Sequence, residues 1–409
     1  MQHEGAESRA GGEPTTGQRV RSITLPYVGL RSFGQAAEFV GWIVLARRLD
    51  PSGLGEVAVG FLLCRYAGLV ADWGAIGRGA RDVAAAGRHG SVRGYLQLRT
   101  SIAAALSVVG SALFVLTGHA VMVPLIVVLM SVGMNRDWIS LGMERGFRAG
   151  LPAAVQGVVL MGASVTADTP GMGAAVVGVG YGVGLAASLM LNPAPDDKAT
   201  ARPGRQDHWL LVALIANQVT SSLDILLLNW MASTTDAGIY ATVYRFPNAF
   251  VALLGGVIGA LVPIATRTHH EDEGEHGRLV SRSLRVSALS ASAVLASAPV
   301  LYYLIPVVLG DAYAPGRVPM VLLVVATAVI TLMAPLHSVL VARGRDRRYA
   351  LLVSAGTGLN VGLNLVLIPR FGMVGAGTST LIAQVLVAAL VWSAAMRQGG
   401  RRRQRRPDE

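Results

Sequence analysis

The chain has 409 residues, 52% hydrophobic and only 14% charged, with a mean hydropathy of +0.51. Soluble globular proteins carry about 25% charged residues, so this much apolar surface calls for the bilayer as solvent. The net charge of +11 does not mark a nucleic-acid partner. The basic residues sit in short loops between apolar stretches, which is a topology signal. The single cysteine, Cys64, excludes an internal disulfide and a cysteine-based metal site.

In chain order, residues 1–22 are polar and read as a disordered cytoplasmic tail. A spanning helix needs about 20 mostly apolar residues. Such stretches are expected at 23–46, 54–76, 98–118, 119–139, 150–167, 171–192, 208–232, 237–264, 284–309, 316–340, 350–370 and 373–396. A polar linker, 193–207, separates the first six from the last six, and the basic segment 397–409 is suited to contact with anionic lipid. Most of the 35 Lys and Arg residues fall in alternate loops, those that an N-in, C-in topology puts in the cytoplasm. Arg78, Arg81, Arg93 and Arg99 belong to one such loop, and the opposite side holds only Arg47, Arg48, Arg317 and Arg370.

The loop after the first span, Arg47-Arg48-Leu49-Asp50-Pro51-Ser52-Gly53-Leu54-Gly55, has a counterpart after the seventh, Ser233-Thr234-Thr235-Asp236-Ala237-Gly238. Each is a short polar turn followed by glycine and a new helix. Gly55 and Gly238 stand 183 positions apart, near half the chain, which points to a parallel internal repeat: residues 23–192 as one lobe and 208–396 as the other.

Ala46-Arg47-Arg48-Leu49-Asp50-Pro51-Ser52-Gly53-Leu54-Gly55 resembles the first-loop signature of polysaccharide flippases, although Asp50 and Leu54 stand where glycine and an aromatic are common. Asp72-Trp73-Gly74 with Arg81 resembles the segment closing their second span. Asp224, Ala237-Gly238-Ile239-Tyr240, Tyr244-Arg245 and Pro263 resemble the start of their second lobe. Ala342-Arg343-Gly344, Asn360, Asn364 and Ile368-Pro369-Arg370-Phe371-Gly372 resemble their late segment. By these motifs the chain resembles the Wzx-type branch of the multidrug/oligosaccharidyl-lipid/polysaccharide exporter superfamily. The resemblance implies an all-α membrane protein of about 12 helices in two six-helix, MATE-like lobes.

Ionisable residues inside spans cost about 2.5–3.5 kcal/mol each at the bilayer centre on insertion scales, so they need a use. Arg31 and Glu38 lie on the first span, Arg65 and Asp72 on the second, Asn217 and Asp224 on the seventh, and Arg245 and Asn248 on the eighth. Their spacings of three and seven put each set on one helix face. In the resembled fold these helices face one another across a central cavity. Arg31, Arg65 and Arg245 would then bind the pyrophosphate of a lipid-linked sugar, since guanidinium stays charged when desolvated and matches phosphate oxygens. Glu38, Asp224, Asn217 and Asn248 are expected to line the cavity or take part in ion or proton coupling. Asp72 reads as a fold-signature residue, and Asn360 and Asn364 as links between helices. The cluster His269-His270-Glu271-Asp272-Glu273 reads as a solvated loop, not a metal site.

The expected function is therefore a flippase, not an enzyme, with no cofactor or metal. It would move a polyprenyl-pyrophosphate-linked oligosaccharide across the bacterial cytoplasmic membrane by alternating access, for cell-surface polysaccharide export. Membrane lipids and glycan polymerase or assembly proteins are the implied partners. The alternatives are a drug/cation antiporter of the same superfamily and a flippase for the peptidoglycan lipid precursor.

Overall fold

The structure, a computed structural model, describes residues 16–72, 83, 92–193, 208–250, 273–342 and 346–403. Its first half comprises α1 (Thr16–Arg48), α2 (Pro51–Asp72), α3 (Arg93–Leu116), α4 (Ile126–Met134), α5 (Asp137–Gly142), α6 (Gly146–Ala163) and α7 (Pro170–Leu191). Its second half comprises α8 (His208–Met231), α9 (Thr234–Val243), α10 (Glu273–Leu309), α11 (Arg317–Ala342) and α12 (Asp346–Arg403). Among the described residues there is no strand. Eight stretches are long and apolar enough to cross a bilayer, and the last of these, Ala350–Ser393, is 44 residues long. It is two spans, because Gly372 breaks α12 at φ 52°, ψ −132°. A backbone there is open to glycine and strained for other residues.

The helices form two lobes. In the first, α1 packs along α6, α6 on α7, and α2 on α3 and α4; in the second, α8 packs on α12, α10 on α11, and α11 on α12. The lobes meet chiefly where α2 crosses α9.

The 183-residue offset reaches beyond the two glycines. α1 ends at Arg48 and α8 at Met231; α2 begins at Pro51 and α9 at Thr234. The caps also correspond. Asp50 Oδ1 accepts from the Gly53 N–H at 2.8 Å, and Ser233 Oγ accepts from the Asp236 N–H at 3.0 Å. Each satisfies a helix-start donor that would otherwise lack a partner. Gly55 and Gly238 themselves meet. A Cβ on Gly238 would run into the Pro51 carbonyl oxygen, and one on Gly55 into that of Thr234. The two helices therefore touch backbone to backbone.

Several elements depart from the sequence expectation. The tail expected over 1–22 is shorter, since α1 begins at Thr16. The fourth span is not one helix but a 3-10 turn (Ala120–Leu125), α4 and α5. Pro124 lacks an N–H in the first piece, and Asn135 breaks the chain at φ −57°, ψ 155°. Arg99, expected in a loop, is 1% exposed on α3. Its Nη1 and Nη2 donate to the carbonyls of Asn135 (3.0 Å) and Val132 (2.9 Å), and Nη2 lies 3.0 Å from Asp72 Oδ1. The guanidinium thus takes the carbonyls that the break frees, and Asp72 is its counter-charge. Asn360 donates to Thr380 Oγ1 (3.3 Å) and Asn364 to Asn360 Oδ1 (3.2 Å), so the two halves of α12 are linked as expected. Trp73-Gly74 with Arg81, the linker from 194 to 207, residues 251–272 with Pro263 and His269–Asp272, and Arg343-Gly344 lie outside the described residues.

The glycine crossing yields a test. Gly238→Ala is expected to prise α2 and α9 apart at this end. In a Cys64→Ser background carrying Thr234→Cys, labelling by a membrane-impermeant maleimide should rise severalfold when Gly238→Ala is added. Unchanged protection would show that the seam does not depend on this contact.

Candidate functional site

Away from the glycine crossing the lobes diverge, and a cavity of about 640 Å³ opens between α1 and α2 on one side and α8 and α9 on the other. The charged residues lining it are Glu38, Arg65 and Arg245. Arg65 comes from the first lobe and Arg245 from the second, so two guanidiniums face one space from opposite bodies. Asn248 lines it too.

Many of the lining residues are repeat partners at the same 183-residue offset: Ala58 with Ala241, Phe61 with Tyr244, Arg65 with Asn248, and Gln35 with Gln218. Like positions on like helices turn toward a shared centre.

Contacts across the lobes hold this geometry. The Arg245 guanidinium lies 3.6 Å from the centre of the Trp42 ring, and Phe39 meets Phe246 edge-on at 5.2 Å. Such contacts are worth about 0.5–2 kcal/mol each when desolvated. The Tyr66 hydroxyl lies 3.0 Å from Ser222 Oγ and 3.3 Å from the Gln218 carbonyl oxygen. At the closed end the Arg47 guanidinium donates to the carbonyl of Val308, and to that of Val307 at 2.6 Å. It thereby caps the end of α10 with the charge that a helix C-terminus favours.

Glu38 is oriented by its own lobe. Tyr181 donates to Oε1 at 3.0 Å and Gln156 Nε2 to Oε2 at 3.3 Å. It lies within electrostatic reach of Arg245, as does Arg65. The carboxylate is thus fixed beside two cations and offsets one of their charges.

Other candidates lie elsewhere. Arg31 does not line the cavity. It is exposed, one turn beyond Gln35 toward the open end, and donates to Tyr27 Oη at 3.0 Å on its own helix. Asp224 is 1% exposed and is not among the lining residues. Tyr240 donates to its Oδ2 at 2.6 Å and Thr380 at 3.3 Å, and the Ile225 N–H to its Oδ1 at 3.1 Å. Those bonds join α8, α9 and α12. The side chain of Asn217 lies outside the described residues, while its neighbour Gln218 lines the cavity. Sequence reasoning passed over Trp42, Gln35 and Gln218, although a glutamine in a span needs a polar partner as an asparagine does. The 183-residue register is the signal that would have found the glutamine pair.

Residues 207–317 match the model of a family described as "Polysaccharide biosynthesis protein". Over almost all of its length the chain is also similar to solved MATE transporters. One is an inward-facing multidrug resistance MATE family transporter of the MOP superfamily, with a TM-score of 0.64 and 15% identity, covering 93% of this chain and 100% of that one. Another is the MATE multidrug transporter DinF-BH, with a TM-score of 0.64 and 17% identity, covering 97% and 98%. A third is a mutant of the Vibrio cholerae MATE transporter VcmN, with a TM-score of 0.59 and 14% identity, covering 94% and 98%. Comparison with curated proteins yields no match. The chain therefore has the two-lobed, all-helical fold of the MATE transporters.

The Asp224 network makes a stability prediction. Asp224→Ala leaves the buried Tyr240 hydroxyl without its acceptor, a loss of about 1–3 kcal/mol. Asp224→Asn keeps an acceptor oxygen and should lose far less. Thermal unfolding of both variants in detergent would check the order; equal midpoints for Asp224→Ala and the parent would remove Asp224 from the framework of the second lobe.

Proposed function

We propose that the protein is a flippase that moves a polyprenyl-pyrophosphate-linked oligosaccharide across the bacterial cytoplasmic membrane. The observation that carries this reading is the placing of Arg65 and Arg245, from opposite lobes, in one cavity. Two guanidiniums and one internally engaged carboxylate leave a net positive site. A pyrophosphate needs such a site, with donors on both sides and the charge retained after desolvation. The family match supports the polysaccharide connection and the fold supports transport.

The cycle follows from the two bodies. The lobes are in backbone contact at the Gly55–Gly238 end, and the cavity lies beyond that contact. With both termini in the cytoplasm, as the loop arginines favour, the open end faces inward. The headgroup enters there while the polyprenyl chain stays in the bilayer. Rocking of residues 23–192 against 208–396 then opens the other side. An inside-negative potential favours outward movement of the anion by about 2.3 kcal/mol per charge per 100 mV. Arg31, at the lip of the open end, would attract the headgroup before Arg65 and Arg245 hold it. Glu38 keeps the cavity from trapping the anion. Asn248 supplies a neutral amide beside Arg65. Asp224 serves the framework of the second lobe.

The MATE neighbours include multidrug transporters, which gives the drug/cation antiporter reading its weight. An organic cation is the wrong charge for a cavity with two arginines and one acid.

Arg65→Ala and Arg245→Ala are each expected to cut surface glycan in a flippase-null strain by about ten- to a hundredfold at equal expression, the worth of one charge-assisted contact. Lys variants should recover part of it. Full activity of both Ala variants would sink the pyrophosphate site. Drug efflux without a glycan phenotype would establish the antiporter instead.

A further inference from the structure

The repeat register separates two chemistries in the cavity. At the charged positions the symmetry is broken: Arg65 has Asn248 as its repeat partner, Arg245 has Leu62, and Glu38 has Ser221. The anion-binding layer is therefore lopsided, as suits a ligand without two-fold symmetry. At Gln35 and Gln218 the symmetry is kept, and the same neutral carboxamide enters the cavity from each lobe.

This pair lines the same cavity beside the guanidiniums. Gln35 lies seven residues along α1 from Trp42, which stacks on Arg245, so it is displaced by about 10 Å of helix rise. Gln218 lies one turn along α8 from Ser222, and Tyr66, next to Arg65, touches both, at 3.3 Å from the Gln218 carbonyl oxygen and 3.0 Å from Ser222 Oγ. Its amide is already oriented, since Nε2 donates to Ser222 Oγ at 3.0 Å. A first sugar is joined directly to the phosphate that carries it, so its ring falls within reach of carboxamides beside the guanidiniums.

We propose that Gln35 and Gln218 form a carbohydrate subsite for the first sugar of the headgroup, distinct from the arginine layer that holds its phosphates. This inference rests on the flippase reading and deepens it. A carboxamide presents both donors and an acceptor. It therefore matches hydroxyl and acetamido groups, and it does not compete with Arg65 and Arg245 for the anion. Because one glutamine belongs to each lobe, closing the open end brings the two together over the ring between them. A headgroup without a sugar would miss this contact while keeping every contact to phosphate.

The test measures binding by the purified full-length protein in nanodiscs. The probes are undecaprenyl pyrophosphate and undecaprenyl pyrophosphate bearing one N-acetylhexosamine. The unmodified protein should bind the sugar-bearing probe about tenfold more tightly, the worth of one or two neutral hydrogen bonds. In Gln35→Leu/Gln218→Leu that ratio should fall to about one, with affinity for the bare probe unchanged. Gln35→Asn/Gln218→Asn should restore part of it. Arg65→Ala should weaken both probes together. The inference is overturned if the double Leu variant keeps the ratio, if it loses both affinities equally, or if the unmodified protein binds both probes alike. Binding of neither probe by the unmodified protein overturns the flippase reading itself.

Discussion

The architecture depends on the backbone contact between Gly55 and Gly238. A side chain at either position would run into the carbonyl of the facing helix, so only glycine lets α2 and α9 cross this closely. The crossing sets where the lobes touch and therefore where they part. Two helices that meet at one end and are tilted to each other must separate toward the other end. The cavity is that separation, bounded by the polar faces of α1, α2, α8 and α9. Further contacts between lobes, Phe39 on Phe246, Trp42 on Arg245, Arg47 on the end of α10 and Tyr66 on Ser222 and Gln218, reinforce it. Beside the glycines the seam is apolar, with Leu54, Val57 and Ala58 of α2 and Ala237, Ile239 and Ala241 of α9 in one buried cluster.

Repetition and its breaking do different work. Equal helix ends, equal caps and paired glycines give the two halves one geometry, so that corresponding faces converge on one axis. Function resides where the halves differ. A strictly symmetric cavity would place Arg65 opposite another arginine at Asn248 and lose the acid at Glu38. The resulting site would hold an anion with more charge and release it less readily. The observed set is two guanidiniums at different depths with a carboxylate held by Tyr181 and Gln156. On the flippase reading, a fixed acid beside the cations lowers the gain from adding an anion, and transport needs binding that is reversible from both sides.

Much of this was legible in the sequence, for definite reasons. Apolar runs of bilayer length are a coarse, strong signal, and the expected spans fall on the observed helices with shifts of a few residues at most ends. The 183-residue register was readable from one pair of loops, because glycine after a capped turn has few other uses. Side-chain direction was not readable. Arg99 and Arg31 have the same chemistry in sequence, yet one caps a helix break inside the first lobe and the other lies on the surface of α1. A charge inside a span says that it must be satisfied, not by what. The break at Asn135 was hidden for the same reason: the group that stabilises it, Arg99, is 36 residues away.

Arg245 takes part in both the cavity and the seam. Its guanidinium lies on Trp42 of the opposite lobe and also lines the cavity, so the same cation faces the cavity and ties the segment after α9 to α1. A ligand shifts an equilibrium between two conformations only by its difference in affinity for them. On the flippase reading, a pyrophosphate at Arg245 changes the charge and orientation of the group that stacks on Trp42. The affinity for the anion and the strength of the seam are then linked through one side chain. Among the described residues, Arg65 stacks on no ring of the other lobe, so the two arginines are not equivalent. Arg65 can hold substrate through a change of lobe position, whereas Arg245 must exchange partners as that change occurs.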